Sequence, residues 1–165
     1  MSRSSTAPPP PEPRSSGQAP AWLRAGLLLA AVPPLLIGVW ASLDPAGFFA
    51  GFPGLGLHWV DLLPPYNEHL VRDTGGLYLA QAAVLAAAAA RPGRSLVRAA
   101  LISNLVFAVP HFVFHLWHLA GWAIPDAVAQ TTSLGVLVAL PSLLLLVEMT
   151  GRGKTSRQTP GPPWG

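Results

Sequence analysis

The sequence predicts an all-α protein, a bundle of four transmembrane helices embedded as an integral membrane protein. Three observations lead there. Of the 165 residues, 51% are hydrophobic and only 10% are charged, where an average soluble domain carries about 25% charged residues. The charges sit in short clusters separated by apolar runs, the pattern of a chain that meets hydrocarbon. Nine of the ten basic residues fall on one side of a four-helix arrangement, which is how orientation is set in a bilayer.

Residues 1–21 are polar and rich in Pro and Ser, with Pro8 to Pro11 in a row. Such a segment cannot bury enough apolar surface to order itself and reads as a disordered cytoplasmic tail. The first helix is expected over residues 22–43, long enough to span because a helix crosses the hydrocarbon in about 20 residues. Pro33 and Pro34 in its middle should kink it. This stretch has a rival reading. Arg24, the apolar run after it and Val39-Trp40-Ala41 resemble a signal peptide with its cleavage site, although the run exceeds the usual core of about 7–15 residues. Cleavage would leave three helices.

Residues 44–66 are too broken by Gly47, Gly51, Gly54, Gly56 and several prolines to span. Phe48, Phe49, Phe52 and Trp59 suit a membrane–water interface, so this connection should lie on the outer surface, with room for a short amphipathic helix. The second helix is expected over residues 67–90, capped by Asn67, with Glu68 at the positive end of its dipole. Gly76, Ala80, Ala83 and Ala87 recur at helical spacing and would let a neighbouring helix approach closely. A turn at Arg91-Pro-Gly-Arg94 leads to the third helix, residues 95–120. The fourth covers residues 126–149, with Pro141 as a bend. Residues 150–165 read as a second disordered cytoplasmic tail.

Orientation follows from the basic residues. Arg3, Arg14 and Arg24 precede the first helix, Arg91, Arg94 and Arg98 flank the second connection, and Arg152, Lys154 and Arg157 follow the fourth helix. The positive-inside rule puts these nine, and therefore both termini, in the cytoplasm. The far side holds only Arg72, with Asp44, Asp61, Glu68, Asp73 and Asp126. A sequence pI near 10.2 therefore speaks for anionic lipid headgroups and not for nucleic acid. Nine Arg against one Lys, with abundant Ala, Pro and Gly, fits a GC-rich coding sequence and a bacterial plasma (inner) membrane.

Several chemistries are excluded. There is no cysteine, so disulfides, Cys-ligated zinc, iron–sulfur clusters and thiol catalysis are out. Ser133 and Ser142 lack a Gly-x-Ser-x-Gly context, and no Gly-rich phosphate loop opens a helix. A membrane di-iron enzyme needs several histidine boxes, and only one candidate is present. Glu148 lies four residues before Arg152, the spacing of a surface ion pair. Gln81, Thr131 and Thr132 have the character of helix-packing hydrogen bonders.

Two polar clusters do not suit lipid-facing helices. The first is Asn67, Glu68, His69, Arg72 and Asp73, in which Glu68/Arg72 and His69/Asp73 are pairs four apart. The second is His111, His115 and His118, whose steps of four and three put them on one helix face, with Asn104 seven residues earlier on the same stripe. At about 1.5 Å rise per residue, Arg72 and Asp73 should share a depth with His115 and His118 and face them across a pocket in the outer half of the bilayer. His58 and Asp61 could close that pocket from above. Buried polar groups are costly in a membrane and usually pair, line a cavity or do work. Three readings follow: the groups satisfy one another; the histidines, with His69 or Glu68, hold a metal or a haem; or Glu68, His69, Arg72, Asp73 and Asn104 line a site for a small polar or quinone-like ligand, where histidine beside carboxylates can exchange protons.

The stretch Arg72-Asp-Thr-Gly-Gly-Leu-Tyr-Leu-Ala, opening the second helix, resembles the Arg-x-x-Gly-Gly-x-x-Leu pattern of small DoxX-like membrane proteins. The resemblance touches Arg72, Gly75 and Gly76 together with the helix count. It implies a small four-helix membrane architecture and little chemistry, and the long outer connection and the histidine stripe depart from that pattern. The expected function is that of a small accessory, non-enzymatic membrane protein with a polar pocket toward the outer face. The alternatives are a His-ligated metal or haem redox protein, or a scaffold whose small-residue stripe packs a partner membrane protein or a second copy.

Overall fold

In the computed structural model, residues 19–63 and 65–150 are described, and the fold is all-α apart from one tiny hairpin. The expected tails, Glu148's expected partner Arg152 and the other basic residues of the C-terminal segment lie outside these residues. Helix α1 covers Ala21–Leu43, running unbroken through Pro33 and Pro34. Helix α2, Pro45–Gly51, is the short helix the connection had room for. Pro45 supplies a fixed φ at its first turn, and the Asp44 carboxylate accepts from the Gly47 N–H at 3.0 Å. Two-residue strands β1 (Pro53–Gly54) and β2 (Leu57–His58) pair antiparallel. Helix α3 follows at Glu68–Ala90, α4 at Arg94–Trp117 and α5 at Ile124–Thr150.

Two boundaries differ from expectation. Helix α4 stops at Trp117, three residues short of 120. The His118 N–H turns back to the His115 carbonyl at 3.2 Å, and Gly121 takes a φ of 87°, a left-handed conformation that favours glycine. Helix α5 begins two residues early, at Ile124, with Asp126 in its first turn.

Of the four long helices, α1, α4 and α5 are long and apolar enough to cross a membrane; α3, the expected second span, does not reach that level among the described residues. The cause is composition. Helix α3 is as long as α1 but carries Glu68, Arg72, Asp73 and Gln81, and its last five residues are alanines, which are only weakly apolar.

The four long helices alternate in direction. Helix α1 packs most extensively on α3, α4 on α5, and smaller contacts between α3 and α4 and between α1 and α5 close the ring. The α1–α3 pair is a backbone-on-backbone contact. A Cβ on Gly38 would lie 2.9 Å from the Gly75 carbonyl oxygen, and one on Gly75 would lie 2.8 Å from the Ser42 nitrogen. Only glycine permits this approach. The residue one step on, Gly76, has nothing within 4 Å of its Cβ position, and Ala80, Ala83 and Ala87 are exposed. The small-residue stripe therefore points away from the intramolecular contact, and Gly75 does the work assigned to it.

Each end of the α1–α3 pair is capped by the other helix. Arg24, near the start of α1, donates through Nη1 to the Ala89 and Ala90 carbonyls at the end of α3, both at 3.3 Å. Arg72, near the start of α3, donates to the Ser42 carbonyl at the end of α1. The last carbonyls of a helix have no intrahelical partner and carry partial negative charge, so an arginine satisfies them twice over. The core lies toward Arg24. Leu23, Leu27, Ala30 and Ala31 of α1 meet Leu85, Ala88 and Ala89 of α3, with Val97, Ala100 and Leu101 of α4 and Leu144 of α5.

An arginine end and an aromatic end result. At the first, Arg98 of α4 binds Glu148 of α5 at 2.6 Å, with Arg94 at 3.7 Å. At the second, ring contacts step from Trp40 to Phe48 (5.7 Å), Phe52 (4.9 Å), Trp59 (6.4 Å) and Trp122 (6.2 Å). This chain of rings ties α1, α2, the hairpin and the α4–α5 loop together, and Trp59 Nε1 donates to Asp126 at 3.4 Å.

Candidate functional site

The first polar cluster sits at the aromatic end and is consumed locally. Asn67 caps α3 by accepting from the Leu70 N–H at 3.2 Å. Arg72 Nε donates to Glu68 Oε1 at 2.9 Å while its other arm caps α1. His69 Nε2 lies 3.2 Å from Asp73 Oδ2, with both side chains more than half exposed. His58 accepts no role above a pocket: its ring bonds the Ala50 carbonyl and lies 4.0 Å from Asp61, all within the connection. Glu68–Arg72 is thus an exposed ion pair and His69–Asp73 an exposed side-chain contact, and none of the four lines the cavity described below.

The second cluster divides. His111 and His115 are neighbours, with ring centroids 4.6 Å apart. His115 is buried against α5, where the Gln130 side-chain amide hydrogen-bonds its Nδ1 at 3.0 Å. Gln130 Oε1 is buried without a hydrogen-bond partner among the described residues. His118 departs because α4 ends before it. It stacks on Phe114 with centroids 3.9 Å apart and bonds the Phe114 carbonyl. Among the described residues no group of three or more His, Asp or Glu is arranged to hold a metal ion. The steps of four and three describe one face only while the helix continues, and here it does not.

Between the helices lies a partly open cavity of about 170 Å³, midway along them. Its walls come from all four long helices: Leu29 to Ile37 of α1, Tyr78 and Gln81 of α3, Asn104, Phe107 and His111 of α4, and Leu134 to Pro141 of α5. The polar groups are organised. Asn104 Nδ2 donates to Gln81 Oε1 at 3.2 Å, joining α3 to α4. Tyr78 packs edge-on against Phe107 at 5.1 Å, and Phe107 stacks with His111 at 5.2 Å. Two of the sequence-derived residues, Asn104 and His111, therefore reach a common site, at mid-depth and not at the outer face. Their partners across it are Tyr78 and Gln81, one turn apart on α3, and not the Glu68–Asp73 cluster. That i, i+3 polar pair within a run of Leu and Ala was the available signal for the site.

Compared with family models, with curated proteins and with solved structures, the chain gives no match. The site must be judged on its own chemistry. A 150 Å³ cavity lined by aliphatic and aromatic side chains is large enough for a benzene-sized molecule, so this one admits a single ring. Its polar groups are few and convergent, as in small-molecule sites generally.

Proposed function

We propose that this chain is a small, non-enzymatic membrane protein that holds a compact, mainly apolar molecule bearing a polar group in the cavity between its four helices. The observation that carries the reading is the convergence of Tyr78, Gln81, Asn104 and His111 on an otherwise apolar cavity. In this reading all four long helices cross a bacterial inner membrane, with both termini cytoplasmic and the arginine end inside. Support comes from the outer surface. Only 33%, 22% and 17% of the spanning windows of α1, α4 and α5 are buried inside the protein. Leu28, Leu36, Val106, Leu143 and Leu146 lie outward, and apolar surface of that extent requires hydrocarbon around it. Helix α3 is weakly apolar, but it lies antiparallel to α1 and shares α1's span through the two arginine caps. The four-helix count keeps the resemblance to DoxX-like proteins as part of the proposal.

The test is fluorine NMR of fluorobenzene titrated into protein in lipid nanodiscs, beside Ala108→Phe, which places a ring in the cavity. Saturable binding by the native chain that disappears in Ala108→Phe supports the reading. Identical signals from both chains sink it, because the probe then reports only lipid.

A second reading, a scaffold or homo-oligomer, rests on one observation: Gly76, Ala80, Ala83 and Ala87 form an exposed small-residue face on α3. Cross-linking in the native membrane, with and without Gly76→Leu, tests it.

A further inference from the structure

The four long helices form a ring, and three of its four sides carry close contacts around the cavity. Between α3 and α4, Asn104 bonds Gln81 and Tyr78 packs on Phe107. Between α1 and α3, the backbones meet at Gly38 and Gly75, and Leu27, Ala31, Leu85 and Ala88 pack toward the arginine end. Between α4 and α5, Gln130 bonds His115, and a Cβ on Gly135 would lie 4.0 Å from the Phe112 ring. The α1–α5 side differs. Leu144 plugs it toward the arginine end, where a Cβ on Gly26 would lie 2.6 Å from Leu144 Cδ2.

Beyond that plug, exposure locates a mouth. Leu29 of α1 and Val136 of α5 line the cavity and are nevertheless 61% and 57% exposed. Every other lining residue, including all of those from α3 and α4, is buried or only partly exposed. A residue that belongs both to the wall and to the outer surface stands at the rim, so the cavity opens between α1 and α5. Along the helices Leu29 lies about 5 Å and Val136 about 12 Å from the Gly26–Leu144 plug, which puts the mouth at mid-depth and not at either end. Val32 and Leu36 continue the exposed face of Leu29, and Leu143 that of Val136, at helical spacing. Helices α1 and α5 are also the most apolar of the four. In the proposed membrane orientation, what stands outside the mouth is hydrocarbon.

From this placement we infer that the cavity is loaded sideways from the bilayer through the α1–α5 mouth. Its ligand is a lipid-soluble molecule with a single-ring head and an aliphatic tail, the head inside and the tail left in the hydrocarbon. The inference rests on the proposed cavity-binding function and adds the entry route and the shape of the ligand. The ring order α1, α3, α4, α5 sets the α3–α4 wall opposite the mouth. A molecule entering between α1 and α5 therefore meets Tyr78, Gln81, Asn104 and His111 with its leading end. Volume limits what enters: about 170 Å³ accommodates one ring, and a long chain attached to it has no room inside. A tail outside a mouth that faced water would lose its hydrophobic stabilisation, whereas here it stays in the medium it came from. No carboxylate, lysine or arginine lines the cavity, so a charged head would lack a counter-ion at that depth.

The experiment titrates 4-fluorotoluene and 1-fluoro-4-octylbenzene, which share a ring and differ in tail, into protein in lipid nanodiscs, with amounts expressed per lipid. Fluorine NMR reads the saturable signal that Ala108→Phe abolishes. The native chain is expected to bind the two probes with affinities within about threefold of one another, because the tail does not have to enter. Val136→Trp, which adds bulk at the rim, should weaken the tailed probe at least about tenfold, the scale of overpacking a filled space, and leave 4-fluorotoluene within about twofold. Ile102→Trp, exposed on α4 and not part of the cavity wall, should change neither. Rejection of the tailed probe by a native chain that binds 4-fluorotoluene overturns the inference and leaves the cavity reading intact. So does equal binding of the tailed probe to the native chain and to Val136→Trp. Absence of cavity-specific binding of either probe overturns the cavity reading itself. Leu29→Trp, at the opposite rim, repeats the comparison if Val136→Trp does not fold, and the two probes on the native chain decide the matter without either variant.

Discussion

Arg98 Nε lies 2.6 Å from Glu148 Oε2, and the two side chains differ sharply in exposure: 37% for the arginine and 2% for the glutamate. The carboxylate is the buried member. It links α4 to α5 at the arginine end, with Arg94 as a second, more distant cation at 3.7 Å. A surface pair with Arg152 would be worth about 0–1 kcal/mol. A pair with a buried carboxylate behaves differently, because removing its nearest cation leaves a charge that water cannot reach less well compensated. Arg98→Ala should therefore destabilise the protein by about 3 kcal/mol. Glu148→Gln should cost about 1 kcal/mol, since the amide oxygen still accepts from a guanidinium that can lean toward solvent. Unfolding in mixed micelles of increasing SDS content, followed by circular dichroism, measures both. Equal losses would show that the glutamate is not the buried partner.

Adjacent glycines on α3 should respond oppositely. Ala at Gly75 brings a Cβ within 2.5 Å of Ser42 Oγ and 2.8 Å of its backbone nitrogen. The hydroxyl can turn aside, but the backbone cannot, so α1 and α3 must separate at a cost of about 1–3 kcal/mol. Ala at Gly76 meets nothing within 4 Å and gains about 0.8–1 kcal/mol of helix propensity. The same SDS titration should move to lower midpoint for Gly75→Ala and stay level or rise for Gly76→Ala. A fall for Gly76→Ala would mean that its face is covered, as the scaffold reading requires.

Reciprocal capping makes a claim about additivity. Arg24 and Arg72 act at opposite ends of the α1–α3 pair and share no partner. Arg72 is also 47% exposed, so the severe loss expected of a charge buried in a pocket does not apply. Each alanine substitution should cost about 1 kcal/mol, the scale of a cation at a helix C-terminus. The double variant should equal the sum within about 0.5 kcal/mol. A double variant no worse than either single one would show that one broken cap already releases the whole pair.

How far the fold was legible in the sequence depends on which signal each element carries. The long helices follow from apolar length, and Asn67 and Pro45 mark helix starts because a cap and a missing N–H are local chemistry. The end of α4 was not legible. Leu116, Trp117 and Leu119 continue the apolar run, and only Gly121 announces the turn. The site was half legible. Asn104 and His111 stand out as polar residues in an apolar helix, but which residues they meet is decided by helix register across the bundle. Register depends on the Gly38–Gly75 contact, and sequence periodicity favoured Gly76 by one residue. One step rotates a helix by about 100°. Tyr78 and Gln81 also lie about 9–12 Å further along α3 than Arg72 and Asp73, so the depth of the cavity decides which of them it meets.

The proposed fourth crossing, that of α3, can be tested on this chain without removing native thiols, because it contains no cysteine. Asp61, Arg91 and Ala123 are exposed positions in three successive connections. In sealed inside-out or right-side-out vesicles, a membrane-impermeant maleimide should label Asp61→Cys and Ala123→Cys from the same face. Arg91→Cys should react from the opposite face. If α3 lies along the surface instead of crossing, Asp61→Cys and Arg91→Cys will react from one face together.

Retention of α1 is the last expectation, and it follows from packing. Leu23, Leu27, Ala30 and Ala31 supply the α1 share of the core. Gly38 and Ser42 receive Gly75, and Arg24 caps α3. A cut after Ala41 would remove all of these except Ser42. It would expose Leu85, Ala88 and Ala89 and open the cavity wall formed by Leu29 to Ile37. Loss of a single buried leucine costs about 2–5 kcal/mol, and two would go at once, so the remaining helices would not keep this arrangement. The chain purified from membranes should therefore carry α1. Intact-mass measurement decides it: a species that includes residues 1–41 is expected, and a stable, folded species beginning at Ser42 would return α1 to the role of a signal peptide.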